Sequence, residues 1–81
     1  MSAPTSEEIK MLAELKRLAG NKRFVTGRDL RDSGFADFVA TVYNVDVAYP
    51  QSLQSRKLQI LRDKGCIRME RRNGGTYTIL E

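Results

Sequence analysis

The sequence predicts a small α+β fold, with a three-helix core and a C-terminal β-hairpin. Three observations lead there. Apolar residues recur at helical spacing behind helix-start signals in the first and last thirds of the chain. An Asn-Gly-Gly turn at 73–75 separates two short stretches of alternating apolar and polar residues. The chain has 81 residues, of which 41% are apolar, enough for one small core and no second domain. The expected domain therefore spans 1–81, with 1–5 flexible.

The first helix is expected over about 6–19. Thr5 and Glu8 have capping-box spacing, and Glu7 and Glu8 suit the positive end of the helix dipole. Ile9, Met11, Leu12, Leu15, Leu18 and Ala19 supply its apolar run, and Gly20-Asn21 stops it. Phe24-Val25 reads as a short β step. Thr26 and Asp29 then repeat the cap spacing, so a second helix should begin near Gly27, with Leu30 in the core. Ser33-Gly34 breaks or bends it. Phe35, Phe38, Val39, Val42 and Tyr43 have helical spacing again, whereas Val45, Val47 and Tyr49 alternate. A helical piece to about Tyr43 followed by an extended linker to Pro50 accounts for both.

Pro50 suits the first turn of a new helix, where its missing N–H costs nothing. That helix is expected over about 51–64, anchored by Leu53, Leu58, Ile60 and Leu61. Gly65 ends it, with Arg62 and Lys64 at the negative end of its dipole. A strand follows over 66–72, with Ile67 and Met69 on one face. The return strand covers 76–80, with Tyr77 and Ile79 turned inward. Helix, β step, helix, helix, hairpin is the order of a winged helix-turn-helix.

At this point the residues also carry a resemblance. The run Ser55-Arg56-Lys57-Leu58-Gln59-Ile60-Leu61-Arg62-Asp63-Lys64-Gly65-Cys66-Ile67 is similar to a recognition helix and wing entry. More narrowly, Leu58 to Gly65, the Tyr49-Pro50 step and the long connection before it resemble the C-terminal DNA-binding domain of the Dam-replacing (DpnI-like) restriction endonucleases. The likeness covers roughly 50–80 and is loose before that. It implies a DNA-reading module and no nuclease activity, because that family's catalytic domain lies outside such a segment.

Charge distribution bears on the same question. The net charge is +4. Residues 1–49 hold seven basic and seven acidic side chains, whereas 50–81 hold seven basic and three acidic. A one-sided positive surface suits a polyanion partner, although a small domain can also be merely basic. On the 51–64 helix, Leu58 and Leu61 define the buried side. Ser52, Arg56 and Gln59 then fall on the far side, with Ser55 beside them and Gln51 near the tip. Arginine pairs with guanine or phosphate, glutamine with adenine, and serine with either backbone or base. A solvated helix face is the plainer reading of the same pattern. Arg71, Arg72 and Asn73 stand at the hairpin tip, where they can reach phosphate or the minor groove or simply keep a short edge soluble. Lys22 and Arg28 (with Arg23) flank the start of the second helix and can help hold a phosphate there.

The expected function is thus a non-catalytic double-stranded DNA-binding module, acting as a small transcription regulator or as a restriction-type targeting domain. A winged-helix protein–protein interaction module is the alternative, and recognition of RNA by shape a third. The apolar segment 35–49 fills the core or offers a seam for a homodimer or partner domain. No enzyme is expected. Histidine, the commonest general base and metal ligand, does not occur. A single cysteine, Cys66, builds neither a zinc site nor an internal disulfide, and it suits a small core position. No cofactor or metal is expected. With no apolar run near the length of a membrane span and no secretory leader pattern, a cytoplasmic protein without membrane contact is expected.

Overall fold

Seven elements follow one another in the computed structural model, which describes residues 3–46, 48–70 and 75–80. They are α1 (Ser6–Ala19), β1 (Phe24–Thr26), α2 (Gly27–Ser33), α3 (Phe35–Val42), α4 (Pro50–Asp63), β2 (Ile67–Glu70) and β3 (Thr76–Ile79). The fold is α+β, with four helices and one antiparallel sheet in the order β1-β3-β2.

Helix boundaries follow local chemistry. The Thr5 hydroxyl accepts the Glu8 N–H while the Glu8 carboxylate accepts the Thr5 N–H at 2.8 Å, closing a capping box at α1. Thr26 and Asp29 do the same at α2. Both starts lie where the cap spacing puts them. The predicted three-helix core becomes four helical segments because Gly34, at φ +73°, adopts the left-handed conformation. That single residue ends α2 and serves as N-cap of α3.

Two helices end in the same way. At α4 the Cys66 N–H reaches the Leu61 carbonyl and the Gly65 N–H the Arg62 carbonyl, with Gly65 at φ +78°. At α3 the Val45 N–H reaches Ala40 and the Asn44 N–H reaches Thr41, with Asn44 at φ +53°. Both are Schellman motifs, which satisfy the last carbonyls of a helix. Asparagine takes the second because, after glycine, it tolerates this backbone best. The linker after Tyr43 therefore opens with a tight reversal rather than an extended step.

The short β step is a true strand. Val25 pairs with Tyr77 and Thr26 with Thr76, while on the other edge of β3 Ile67 pairs with Ile79 and Met69 with Tyr77. This register puts Val25, Ile67 and Ile79 on the inner face, where all three are buried. They meet Met11, Leu12, Leu15 and Ala19 of α1, Leu30 of α2, Phe35 and Val39 of α3, and Leu58 and Leu61 of α4. Cys66 is buried among them. Phe38, Tyr43 and Leu53 are half-buried and packed against this core.

Three apolar expectations need correction. Ile9 belongs to the helical run but is 55% exposed, because it lies about 100° around the helix from the Glu8–Leu12–Leu15 stripe. Ile60 is only half-buried, since Leu58 and Leu61 already occupy the side of α4 that faces the core. Leu80, at the end of the expected return strand, lies past β3 and is half exposed. Val47 lies outside the described residues.

Candidate nucleic-acid interface

Helix α4 presents two contrasting sides. Leu58 and Leu61 are fully buried, and Leu53 is packed against the core. Gln51, Ser52, Ser55, Arg56 and Gln59 are all exposed. Ser52, Ser55, Arg56 and Gln59 recur at three- and four-residue steps, so they form one stripe running down the helix. The five predicted α4 residues are thus brought together on one outward surface.

The electrostatics of that surface depend on which cations already have partners. Arg62 pairs with Asp63 at 3.2 Å, Arg68 with Glu70 at 3.5 Å, and Lys64 with Glu8 at 2.6 Å. Three of the cations in the second half of the chain thus already face a carboxylate, and one of these carboxylates, Glu8, comes from the first half. Arg56 forms no ion pair with another described residue. The first turn of α4 contains no acidic residue, so the stripe from Gln51 to Gln59 carries one cation and no carboxylate. Lys57 lies to the side, with its ammonium 4.3 Å from the centre of the Tyr43 ring.

Two shallow depressions flank the start of α4. One is lined by Gln51 and Gln54 of α4 together with Arg31 of α2, Gly34, and Ala36 and Asp37 in the first turn of α3. Arg31 is exposed and makes no ion pair with another described residue. It is the basic residue that sequence reading missed. Arg31 lies in the last turn of α2, and only the break at Gly34 brings this turn beside Gln51. The second depression is lined by Ala48, Tyr49, Ser52, Leu53 and Arg56. Tyr49 is 75% exposed there, although its alternation with Val45 and Val47 pointed to a connector.

The other predicted residues lie apart from this surface or outside the described residues. Arg28 is exposed and within 3.9 Å of Asp32. Lys22 is exposed, with its ammonium 5.5 Å from the Phe24 ring centre. Neither lines either of the two depressions at the start of α4. Arg71, Arg72 and Asn73 lie outside the described residues. The base of their hairpin is tied to α2, because the Gly27 N–H donates to the Gly75 carbonyl at 2.9 Å.

A largely buried ion pair that sequence reading did not find also ties the end of α4 to α1. Lys64, expected only to suit the helix dipole, reaches across to α1 and donates to Glu8 at 2.6 Å and to the Ala3 carbonyl at 3.4 Å. Glu8 is almost wholly buried. Burial pushes its carboxyl up, but the Lys64 hydrogen bond, the Thr5 amide and the Lys64 charge together outweigh it, and the group lies below its ordinary value. Burial and the nearby Glu8 and Glu7 charges push the Tyr43 phenol up.

The described residues contain no group of three His, Cys, Asp or Glu side chains placed to hold a metal. No helix among them is long and apolar enough to cross a membrane. No known protein family, curated protein or solved structure matches this chain.

Proposed function

We propose that this chain is a non-catalytic winged helix-turn-helix module that binds double-stranded DNA, with α4 as the helix that enters the major groove. The observation that carries this reading is the outward stripe of α4, in which Gln51, Ser52, Ser55, Arg56 and Gln59 are all exposed with no acid among them. A major groove admits one helix. It requires a polar, uncharged-to-positive outer side whose donors and acceptors match base edges, and an inner side anchored in a rigid core. Burial of Leu58 and Leu61 supplies the anchor.

The element order and the β1-β3-β2 sheet support a winged-helix reading, in which α2 and α3 together form the segment ahead of α4. In this reading Arg56 is the principal base or guanine contact, and Gln51 and Gln59 are adenine contacts. Ser52 and Ser55 reach backbone or base, and Arg31 holds a phosphate at the groove edge. Arg71, Arg72 and Asn73, which lie outside the described residues, are further candidate contacts to phosphate or the minor groove on sequence grounds alone. Such a module serves a transcription regulator or the targeting arm of a larger DNA-acting assembly.

A duplex titration followed by fluorescence anisotropy tests the proposal. Affinity should fall linearly with salt on a logarithmic plot. Arg56→Ala should cost about 1–3 kcal/mol on a preferred sequence. Absence of attachment at low salt, or a double Arg31→Ala/Arg56→Ala variant that binds like the wild type, refutes it.

A further inference from the structure

We infer that the depression at the start of α4 recognises the C5-methyl group of a pyrimidine, next to a guanine read by Arg56. The inference rests on the DNA-reading proposal above and specifies what that surface selects. Its basis is the composition of the depression. Ala48, Tyr49 and Leu53 supply apolar surface, while Ser52 and Arg56 supply polar groups on the same wall. Ser52, Leu53 and Arg56 of α4 line this depression together with Tyr49 at the helix N-cap.

Tyr49 is the unusual member. Three-quarters of its surface is open to solvent. Yet it occupies the N-cap position of α4 and makes no side-chain cap hydrogen bond. A large aromatic residue is a costly choice for a cap, where serine, threonine, aspartate or asparagine stabilises a helix more. The helix is therefore not what the side chain serves. Placed at the end of the helix that enters the groove, the ring and Leu53 meet whatever apolar group the groove presents. Base edges in the major groove offer one such group, the methyl at C5 of thymine or of 5-methylcytosine. The guanidinium at the rim fixes which pyrimidine is reached. Arginine binds guanine through its O6 and N7 acceptors, so the methyl recognised lies on the neighbouring base. Positive charge at the rim and absence of acid in the first turn of α4 suit this polyanionic ligand and exclude an acidic wall against it.

Thymine and 5-methylcytosine present the same methyl, and the experiment separates them. Duplexes selected from a random pool are titrated with one base changed at a time. Thymine→uracil removes only the methyl, cytosine→5-methylcytosine adds only a methyl, and each is tested beside a guanine. Burying one methyl is worth about three- to fivefold in affinity. Wild-type protein should lose that factor for uracil at one position adjacent to guanine. A methylated cytosine at the same position should bind as well as thymine if the methyl alone is read, and less well if the thymine carbonyl is read too. Tyr49→Ala should bring the thymine-to-uracil ratio to about one, and Tyr49→Leu should restore part of it, a recovery that loss of folding does not mimic. Equal affinity for thymine and uracil at every position, in a protein that does bind duplexes, overturns the inference and leaves the proposed function standing. No duplex binding at any salt overturns both.

Discussion

Replacing Lys64 with methionine should destabilise the fold by about 2–3 kcal/mol at neutral pH, and acidification should partly reverse the loss. Breaking a buried ion pair by removing one partner costs about 3–5 kcal/mol, because the remaining charge stays desolvated. Here the Glu8 side chain is 5% accessible and that of Lys64 19%, so the carboxylate is the group left stranded. It keeps the Thr5 N–H at 2.8 Å, which lowers the cost below the full figure. For a domain of this size the deficit corresponds to a fall of about 10–20 °C in Tm.

The sign of the pH effect follows from what holds the carboxyl. With Lys64 present the folded-state pKa of Glu8 lies below its ordinary 4.5. The pair therefore contributes its full stabilisation above that value and loses it as pH falls through the depressed folded value. Without Lys64 its hydrogen bond and its charge no longer hold the carboxyl down, so the folded pKa of Glu8 rises relative to the wild type. Protonation then costs the folded state less than it does in the wild type, and the gap between variant and wild type narrows as pH falls toward 4. Urea unfolding at pH 7 and pH 4, with unchanged m-values, measures both quantities. A Lys64→Met variant within about 0.5 kcal/mol of wild type at both pH values would refute the reasoning, showing that the pair is no more than a surface contact.

Other consequences can be checked in the same assays. Leu61→Ala should cost about 2–5 kcal/mol through the cavity it leaves in the core; a loss below 1 kcal/mol in urea titration would place Leu61 outside it. Gly34→Ala should cost about 1–2 kcal/mol from backbone conformation alone, since a Cβ there meets nothing within 4 Å. Gly34→Asn should recover part of this, and equal stability of all three would remove the left-handed turn from the account. Arg31→Ala should weaken duplex binding alike for every sequence and lower the salt slope by about one. Loss confined to one preferred sequence would make Arg31 a base contact instead.

The elements proved legible wherever local chemistry decides them. Both capping boxes, the Gly65 stop and the Pro50 start are short-range signals. The helices they bound lie within a residue of the expected limits. Leu58 and Leu61 and the outward side of α4 follow from helical periodicity, which needs no knowledge of the partner surface. Pairings between distant segments were not legible. Lys64 and Glu8 are 56 residues apart, and each had a sufficient local explanation as dipole partner and cap residue. Asn44 ends α3 in a conformation more often marked by glycine, so the tight reversal left a weaker signal than Gly65 does. Arg31 joins the α4 surface only because Gly34 turns the chain there. Tyr49 looked like one residue of an alternating connector, and its exposure at the tip of α4 depends on where that connector ends. Arg71, Arg72 and Asn73, read from the turn signal, lie outside the described residues.

The central claim is that α4 contacts DNA through one defined side. Backbone amide shifts recorded while a short duplex is titrated into labelled protein test it residue by residue. The account predicts that the largest changes fall on Gln51, Ser52, Ser55, Arg56 and Gln59, with Arg31 beside them and the α1 amides near Ile9 and Ala13 unmoved. Changes centred on α1, or none at low salt, would contradict it.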